Sequence, residues 1–420
     1  MAAGRCYCPP VAIEVRAIRE DELAPWLDAQ TTAFLARPDV ERIADEVREH
    51  WDLARVWGAF DGERVVGTAR AYATELTVPG NRQVKASAVT QVAVIPTHRR
   101  RGALRTMLET EHAAAAERGE LVSMLYASEA TIYDRFGYGV ACQTAGWSVD
   151  VSVTGVHEAA GRRTGAIELV AIDDAALDDV RAVYERHRLT QPGEIWRRPI
   201  TWRSDLGLAG HAWGDAWKGY LAVHRDETGA IDGYARYSGE GKWEHRQPRG
   251  TLTVDELQAL TPDAEVALLR YLVDVDLVTT LRIERRTPTD RIPWLLTNGR
   301  AAEPYDLGDG LWVRLHDAPA ALEARAYEQT GSIVLELVSG PEDSVRVALD
   351  ASPDGARAVV TDRPPDLTVA ASAVGAAYLG GTRLRDAVLA RGADEHRPGA
   401  LAKADALFAC RDAPWCSTFF

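Results

Sequence analysis

The residues best suited to chemistry form the cluster Arg99-Arg100-Arg101-Gly102, which follows an apolar run. Alternation of Val92 and Val94 predicts a strand that ends at Pro96, followed by a tight turn and a helix. Backbone N–H groups at such a helix start lack intrahelical partners and attract an anion. Arginines add charge-assisted hydrogen bonds, and Gly102 lets the backbone approach a phosphate closely. The cluster therefore predicts a pyrophosphate site, with a solvated basic turn as the alternative that charge pattern alone favours.

Other motifs for nucleotide binding or hydrolysis do not compete with this site. The pattern GxxxxGK[ST] is absent, because Gly241-Lys242 has no glycine at the required distance upstream and Trp243 follows it. No GxGxxG opens a helix, and neither GxSxG nor HExxH occurs. The arginine cluster is thus the leading candidate for an anion site.

The composition limits the classes of partner. The chain has 420 residues with 62 Asp and Glu against 48 Lys and Arg, which gives a formal net charge of -14. An acidic chain is a poor match for non-specific nucleic-acid binding, which depends on phosphate neutralisation by basic residues. A small cationic or amine substrate is compatible with this charge. The length predicts two or three domains.

The five cysteines give no disulfide framework, since their number is odd and the chain is long. Cys6 and Cys8 could form half of a metal site, but no second Cys or His pair at zinc spacing follows them. The N-terminus lacks an apolar signal core, and no run approaches the roughly 18 apolar residues of a membrane span. We therefore expect a cytoplasmic protein without a metal or a membrane span.

Local patterns place the arginine cluster in a mixed α/β domain. Residues 11–16 alternate as a strand, and the acidic stretch 19–23 opens a helix. Residues 55–60 and 65–72 flank the turn Asp61-Gly62 and predict a hairpin. Residues 121–126 read as a buried strand, and the domain is expected to end near residue 150.

Two further domains follow in the sequence. Residues 151–303 repeat an α/β order, with helices around 180–185 and 264–272, but without an Arg-Arg-Gly turn. The range 304–420 begins with strand-like segments, of which the first is residues 311–315, and closes with helices around 371–379 and 401–408. Strands followed by helices are typical of an α+β domain. The predicted domains are 1–150, 151–303 and 304–420.

Two motifs carry a resemblance to a known family. Residues 99–103 after the strand resemble the acetyl-CoA pyrophosphate loop of the GCN5-related N-acetyltransferase (GNAT) superfamily, [QR]xxGx[GA], although Leu104 departs from its small last residue. Residues 92–104 and the stretch ASEATIYDRFGYG at 127–139 are more similar to the enhanced intracellular survival (Eis) family, which has a bulky residue at the position of Leu104. Residues 309–314 with 319–325 look like the start of that family's last domain.

The resemblance implies a fold and a cofactor. The expected fold class is α/β (α+β), with two GNAT-type mixed-sheet domains followed by a sterol-carrier-protein-like α+β domain. The second GNAT-type domain would lack the cofactor loop. By resemblance, the end of the strand binds the pantetheine of acetyl-CoA through its backbone, the loop holds the pyrophosphate, and two residues flank the cofactor. These cofactor-binding residues are Val92, Ala93, Val94, Arg100, Arg101, Gly102, Ala103, Leu104, Arg105, Ser128 and Glu129.

The resemblance also implies a mechanism by direct attack of an amine on the thioester. The attacking amine must lose a proton, and the leaving thiolate gains from a proton donor. Tyr133 sits where the family places that general acid, and the family uses the C-terminal carboxylate, here that of Phe420, as general base. The apolar tail with Trp415, Phe419 and Phe420 is costly to leave in water. Amphipathic packing of Tyr133 and simple packing of the tail are the structural alternatives.

The acceptor is where this sequence departs from the family. Members that bind aminoglycosides use acidic residues near the first helix and a Glu just before the terminal Phe. Here the matching helix, residues 29–35, has no acid, and Phe419 is the penultimate residue. The resemblance implies a primary amine of a small molecule as acceptor, either aminoglycoside-like or another polyamine, and these departures favour an acceptor that is different from, or less cationic than, the classical aminoglycosides. The resemblance further implies a hexamer, and the alternative functions are a ligand-sequestering binding protein and a protein-lysine acetyltransferase.

Overall fold

The computed structural model describes residues 13–162, 164–210, 215–340 and 343–420. Cys6 and Cys8 lie outside these described residues. The chain divides into two compact units, one built from residues within 1–73 and 87–119 and the other from residues within 74–86 and from 120 onward.

The first unit carries strands in the order β1, β2, β3, β4 with three α-helices. β1 pairs antiparallel with β2, and β2 pairs antiparallel with β3 across the turn at Gly62, whose φ of 64° is left-handed. The predicted hairpin around Asp61-Gly62 is confirmed. The elements are β1 Glu14–Ala17, α1 Leu23–Ala33, α2 Val40–Arg48, β2 Val56–Asp61, β3 Arg64–Val78, β4 Arg82–Val94 and α3 Ala103–Glu117.

The core of the first unit lies between its sheet and its helices. Trp26 and Leu27 of α1 and Ile43 of α2 are fully buried against Phe60 of β2, and Met107 of α3 joins the same cluster. Burial of such side chains contributes about 1.5–3 kcal/mol each. This packing fixes the start of α3, which carries the arginine cluster at its N-terminal end.

The second unit contains neighbouring strands in the order β5-β16-β6, which belong to the same sheet as β1 to β4. It also contains a seven-stranded sheet with the order β15-β7-β14-β13-β10-β9-β8 and a five-stranded sheet with the order β19-β18-β17-β20-β21. Their strands are β5 Val122–Tyr126, β6 Gly139–Val140, β7 Gln143–Asp150, β8 Ala166–Val170, β9 Tyr220–Arg225, β10 Ile231–Glu240, β13 Gly250–Ala259, β14 Val278–Arg286, β15 Ala302–Asp309, β16 Leu311–Leu315, β17 Gly331–Gly340, β18 Asp343–Ser352, β19 Gly355–Val360, β20 Leu367–Ala370 and β21 Ala393–Glu395.

Helices cover these sheets, and a short ribbon joins two of the strands. The ribbon is β11 Trp243–Glu244 paired with β12 Gln247–Pro248. The helices are α4 Asp174–Arg188, α5 Pro199–Asp205, α6 Pro262–Val273, α7 Ile292–Leu295, α8 Ala318–Ala324, α9 Ala371–Ala377, α10 Leu384–Ala387 and α11 Ala400–Phe408. The five-stranded sheet and α8 to α11 form the last core, around Leu335, Tyr327 and Phe408.

Two strands lie in sheets that the sequence did not predict. β16, expected at the start of the last domain, pairs antiparallel with β5 on one side and with β6 on the other, and its first three residues are buried. β7, for which the sequence predicted no strand, pairs with β14 and β15 in the seven-stranded sheet. An early strand, β7, thus lies in the sheet formed by later strands, and a late strand, β16, lies beside the early strands β5 and β6. We call this arrangement the exchange of β7 and β16.

Candidate active site

The arginine loop (residues 99–102) delivers the chain into the N-terminus of α3. Gly102 is the N-cap residue with a φ of 88°, and a Cβ built there would meet no atom within 4 Å. Glycine is therefore required by the left-handed backbone, and the backbone is open on that side. The N-cap Gly102 makes no side-chain capping hydrogen bond, and the first backbone N–H groups of a helix, here those of Ala103 and Leu104, have no acceptor within the helix.

Contacts within the first unit hold the arginine loop in place. His98 Nε2 lies 3.1 Å from Asp61 Oδ2, and its Nδ1 lies 2.8 Å from Thr97 Oγ1. Arg101 Nη1 lies 3.5 Å from the same Asp61 oxygen. Arg100 has a φ of 63°, which for a residue with a side chain costs about 1–2 kcal/mol. The exposed Arg100 side chain has no acidic partner in the ranges that the structure describes.

The end of β4 departs from regular strand geometry directly before the predicted pantetheine residues. Gln91 has a φ of 54°, and its carbonyl accepts from Thr68 Oγ1 at 2.9 Å. Its side-chain Oε1 is buried without a hydrogen-bond partner in the described part of the chain. Val92, Ala93 and Val94 are half-buried. Just beyond the end of β4, the Ile95 N–H donates to Val66 O at 3.0 Å.

These observations fit the diphosphate of a coenzyme A ester. The loop combines unpaired backbone donors at a helix start, a glycine with free space beside it, and exposed guanidinium groups. Each of these features favours a phosphate group. The Arg105 side chain is exposed, and its Nη1 lies 3.6 Å from Glu109 Oε1.

Tyr133, the predicted general acid, lies in the second unit directly before the 3-10 helix Asp134–Phe136. Its side chain is only 4% exposed and its ring packs edge-on against Tyr138 at 6.0 Å. No hydrogen bond to its hydroxyl is found within the described ranges. Burial, together with the nearby charge of Glu129, raises the pKa of Tyr133 to about 12. The phenol therefore keeps its proton at neutral pH and has that proton to give.

Glycines shape the loop that carries Tyr133. Gly137 has a φ of 83°, and a Cβ there would lie 2.5 Å from Arg314 Nη1, which donates to Phe136 O at 3.1 Å. The predicted cofactor neighbours Ser128 and Glu129 are exposed on the same loop, close after β5. The structure therefore places these two and Tyr133 on one segment, between β5 and β6.

The C-terminal tail, defined as Pro414–Phe420, is anchored rather than frayed. The Phe420 ring packs edge-on against Tyr126 at 5.2 Å, and the Phe419 ring lies 5.0 Å from the same tyrosine. Tyr126 also donates its hydroxyl to Thr418 O at 2.9 Å. Tyr126 is the last residue of β5, the strand that leads into the Tyr133 loop. Phe420 is half-buried, whereas Phe419 is 62% exposed.

Sequence reasoning missed the side chains that hold this tail. They are Tyr184, Glu194, Arg197, Glu256 and Gln258, all buried in the second unit. Arg197 and Glu256 are paired at 2.6 Å although they are far apart in the sequence. No spacing rule connects such residues, because their proximity comes from the sheet and not from a local motif.

Comparisons with known proteins agree with this architecture. The model of the acetyltransferase (GNAT) domain matches residues 14–141, a second model of that description matches residues 188–315, and the sterol carrier protein domain matches residues 318–417. An uncharacterized N-acetyltransferase of Streptomyces griseus is 40% identical over 98% of this chain and 100% of its own. The N-acetyltransferase Eis of Mycobacterium tuberculosis is 36% identical over 78% of each chain.

The chain belongs to the Eis family of N-acetyltransferases. Eis1 from Mycobacterium abscessus superimposes with a TM-score of 0.83 at 34% identity, covering 97% of this chain and 100% of its own. The expected fold class, two GNAT-type domains followed by a sterol-carrier-protein-like domain, is confirmed. As an Eis-type acetyltransferase the protein is an acyltransferase, and GNAT acetyltransferases use acetyl-CoA.

Two further properties of this Eis-family chain bear on its chemistry. In the portion covered by the structure, no group of three or more His, Cys, Asp and Glu side chains is arranged to hold a metal ion. None of the described helices is long and apolar enough to cross a membrane.

Proposed function

We propose that the protein transfers the acetyl group of acetyl-CoA to a primary amine of a small molecule. The observation that carries this proposal is the placement of Tyr133 on the loop after β5, where its side chain is 4% exposed and its hydroxyl has no hydrogen-bond partner among the described residues. A buried proton donor without a structural partner suits a catalytic role better than a packing role. The family resemblance of its loop points the same way.

The proposed cofactor site uses the residues of the arginine loop and of β4. The backbone of Val92, Ala93 and Val94 would bind the pantetheine. Arg100, Arg101 and the N–H groups from Gly102 to Arg105 would hold the diphosphate. Ser128 and Glu129 would flank the cofactor. Open backbone at Gly102 and an uncapped helix start support this assignment.

The proposed chemistry moves two protons. The neutral amine nitrogen attacks the thioester carbonyl carbon and forms the C–N bond, while the carboxylate of Phe420 takes the proton that the nitrogen loses. The C–S bond breaks, and Tyr133 gives its hydroxyl proton to the departing sulfur. Support for the base comes from the anchored tail, because the packing of Phe420 on Tyr126 restrains the chain end.

We propose an acceptor that is less cationic than an aminoglycoside. The segment at the end of α1 offers the exposed apolar side chains of Phe34 and Leu35, which are 49% and 89% exposed, and no acid. Phe419, in the tail, is likewise apolar and exposed. Apolar exposed side chains favour an amine with a hydrophobic body. We also propose a homohexamer, which rests on the family resemblance alone and which sedimentation velocity tests.

The test measures acetyl-CoA-dependent thiol release with a panel of alkyl, aryl and polycationic amines. Tyr133→Phe should lower kcat by about 100-fold or more, the usual share of a general acid. Addition of a single glycine after Phe420 moves the carboxylate and should have a similar effect. Tyr220→Phe, an exposed tyrosine on β9, is the matched control and should keep wild-type activity. Absence of turnover with every amine would overturn the proposal.

A further inference from the structure

The second GNAT-type domain contains a buried polar cluster that meets the C-terminal tail. Arg197 lies at its centre and is 4% exposed. Its Nη1 and Nη2 donate to the two carboxylate oxygens of Glu256 at 3.0 and 2.6 Å. Its remaining donors reach the tail, with Nε 2.6 Å from Thr418 Oγ1 and Nη2 2.8 Å from Ser417 Oγ. One guanidinium therefore bridges the domain and the tail.

Other side chains of the cluster form hydrogen bonds with the backbone N–H of Ser417 and with the hydroxyl groups of Ser417 and Thr418. Glu194 accepts the backbone N–H of Ser417 at 3.0 Å, and Gln258 donates to the Ser417 hydroxyl at 2.9 Å. The Tyr184 hydroxyl donates to Glu194 at 2.9 Å and lies 2.9 Å from Thr418 Oγ1. Buried polar groups that are matched on both sides in this way are costly to separate.

The backbone of the domain is also shaped for the tail. Gly193 has a φ of 99°, and a Cβ there would lie 2.7 Å from the carbonyl oxygen and 2.9 Å from the nitrogen of Trp415. Trp415 N donates to Pro192 O at 2.8 Å, and its ring packs edge-on against His187 at 5.6 Å. A side chain at residue 193 would collide with the tail, so the domain admits the tail only because glycine is present.

The charges of the cluster keep it intact at physiological pH. Burial alone would raise the pKa of Glu256, but the adjacent Arg197 guanidinium and its hydrogen bonds lower that pKa to about 2. Glu256 therefore stays ionised and keeps Arg197 oriented towards the tail. Burial raises the pKa of Glu194, an effect that Arg197 and Ser417 partly offset.

We propose that the second GNAT-type domain is a receptor for the chain's own C-terminus, with Arg197, Glu194 and Tyr184 as positioning residues that fix the Phe420 carboxylate by holding Ser417 and Thr418. This inference rests on the proposed base function of that carboxylate. Only Phe419 lies between Thr418 and the last residue. The side chains that hold Ser417 and Thr418 therefore limit the positions that the Phe420 carboxylate can reach. The domain that lacks the cofactor loop would thus still serve turnover.

The experiment compares Thr418→Val with Thr418→Ser in the full-length chain. Valine matches threonine in shape but lacks the hydroxyl held by Arg197 and Tyr184, whereas serine keeps it. Tail release is read as the labelling rate of Cys416, which is buried and 5% exposed, by iodoacetamide with mass-spectrometric assignment to that residue. Loss of one hydrogen bond to a charged group should speed labelling of Thr418→Val by about tenfold or more.

The expected kinetic result is a split between kcat and KM. Thr418→Val should lower kcat by about tenfold or more while KM for acetyl-CoA stays within about twofold of wild type, because a displaced base slows the chemical step and leaves cofactor binding intact. Thr418→Ser should behave as wild type in both assays. Should Thr418→Val fail to fold by circular dichroism, Tyr184→Phe removes a hydroxyl from the same contact and is measured instead.

The chain extended past Phe420 separates the two proposals. In one outcome the extended chain loses turnover while Thr418→Val has the labelling rate and turnover of the wild type. That result would overturn the positioning role but keep the Phe420 carboxylate as the general base. Extension that leaves turnover intact overturns the base, and the positioning role for catalysis with it. Faster labelling and lower kcat in Thr418→Val, with rescue by serine and inactivity of the extended chain, support both.

Discussion

The two GNAT-type domains each have a helix that follows a strand, and the two helix starts differ in what they can bind. α3 begins at Gly102, follows three arginines and has no side-chain cap among the described residues. α6 begins at Thr261, whose hydroxyl accepts the N–H of Ala264 at 3.1 Å, and its first residue is Pro262, which has no N–H. Asp263 and Glu265 add negative charge to that first turn.

The comparison shows how few residues separate an anion site from a closed helix end. Both ends have the positive pole of a helix dipole. The first turn of α6 carries two carboxylates, whereas the first turn of α3 has no acidic residue and follows three arginines. The shared strand-helix architecture therefore does not predict cofactor binding. The residues in and just before the first turn of the helix do.

The largest effect is expected when α3 is given the first turn of α6. Leu104→Asp with Thr106→Glu places carboxylates at the positions that Asp263 and Glu265 occupy in α6. We expect the Kd for acetyl-CoA to rise by about 100-fold or more, because carboxylates there repel the diphosphate. Isothermal titration calorimetry measures this. A retained circular dichroism melt with unchanged Kd would contradict the assignment of the helix start.

Removal of one arginine should have a smaller effect. Arg100→Ala or Arg101→Ala loses one charge-assisted hydrogen bond, and we expect about a tenfold rise in the Kd for acetyl-CoA. Arg118→Ala, at the opposite end of α3, makes the same change in net charge and serves as the control. Equal effects of Arg100→Ala and Arg118→Ala would show that only overall charge matters.

Removal of the cap from α6 should affect stability and not binding. Thr261→Ala deletes the side chain that accepts the Ala264 N–H, and we expect the free energy of unfolding to fall by about 1 kcal/mol. Urea denaturation measures that change. Titration calorimetry on the same variant should still give one acetyl-CoA per chain, and a second binding event would break the contrast between the two helix starts.

The smallest expected effect concerns the tyrosines of the two domains. Both Tyr133 and Tyr184 are buried, which raises the pKa of each phenol, but Tyr184 is engaged by Glu194 and Thr418. Because the pKa of Tyr133 is about 12, its proton is present throughout pH 7–10. The kcat should therefore not fall between pH 8 and about pH 10 through loss of this acid.

The same pKa has a consequence for stability. A phenol that ionises near 10 in the unfolded chain and about 12 in the folded one favours the folded state fully below pH 10, and this contribution is lost as pH rises through 12. Absorbance at 295 nm, compared between wild type and Tyr133→Phe, should show tyrosinate from this residue only above about pH 11. Its appearance near pH 10 would mean that the hydroxyl is solvated.

Local features were predictable and long-range ones were not. The hairpin at Asp61-Gly62 and the helix after the arginine cluster follow from turn chemistry and periodicity, which act within a few residues. The placement of β7 and β16 depends on which buried strand edge each one meets, and both have partners far away in sequence. No periodicity in residues 311–315 distinguishes one sheet from another.

The candidate site divides in the same way. The motifs around Arg100 and Tyr133 could be identified because their residues are contiguous, and their predicted roles stay predictions. The Arg197–Glu256 pair could not be found, since either residue alone is an ordinary charged side chain. The apolar tail was a sequence-level indication that the chain end is buried, but its polar residues Ser417 and Thr418, which make most of the anchoring bonds, gave none.

The exchange of β7 and β16 has a consequence for synthesis on the ribosome. β5 is made early, but its neighbour β16 lies at the end of the second GNAT-type match and is made only after the rest of that match. A nascent chain that stops before Leu311 exposes an unpaired edge of β5, and such edges favour aggregation. Correct assembly of this sheet must therefore wait until both GNAT-type domains have been translated. A truncated chain needs to extend through Leu315 to complete the sheet.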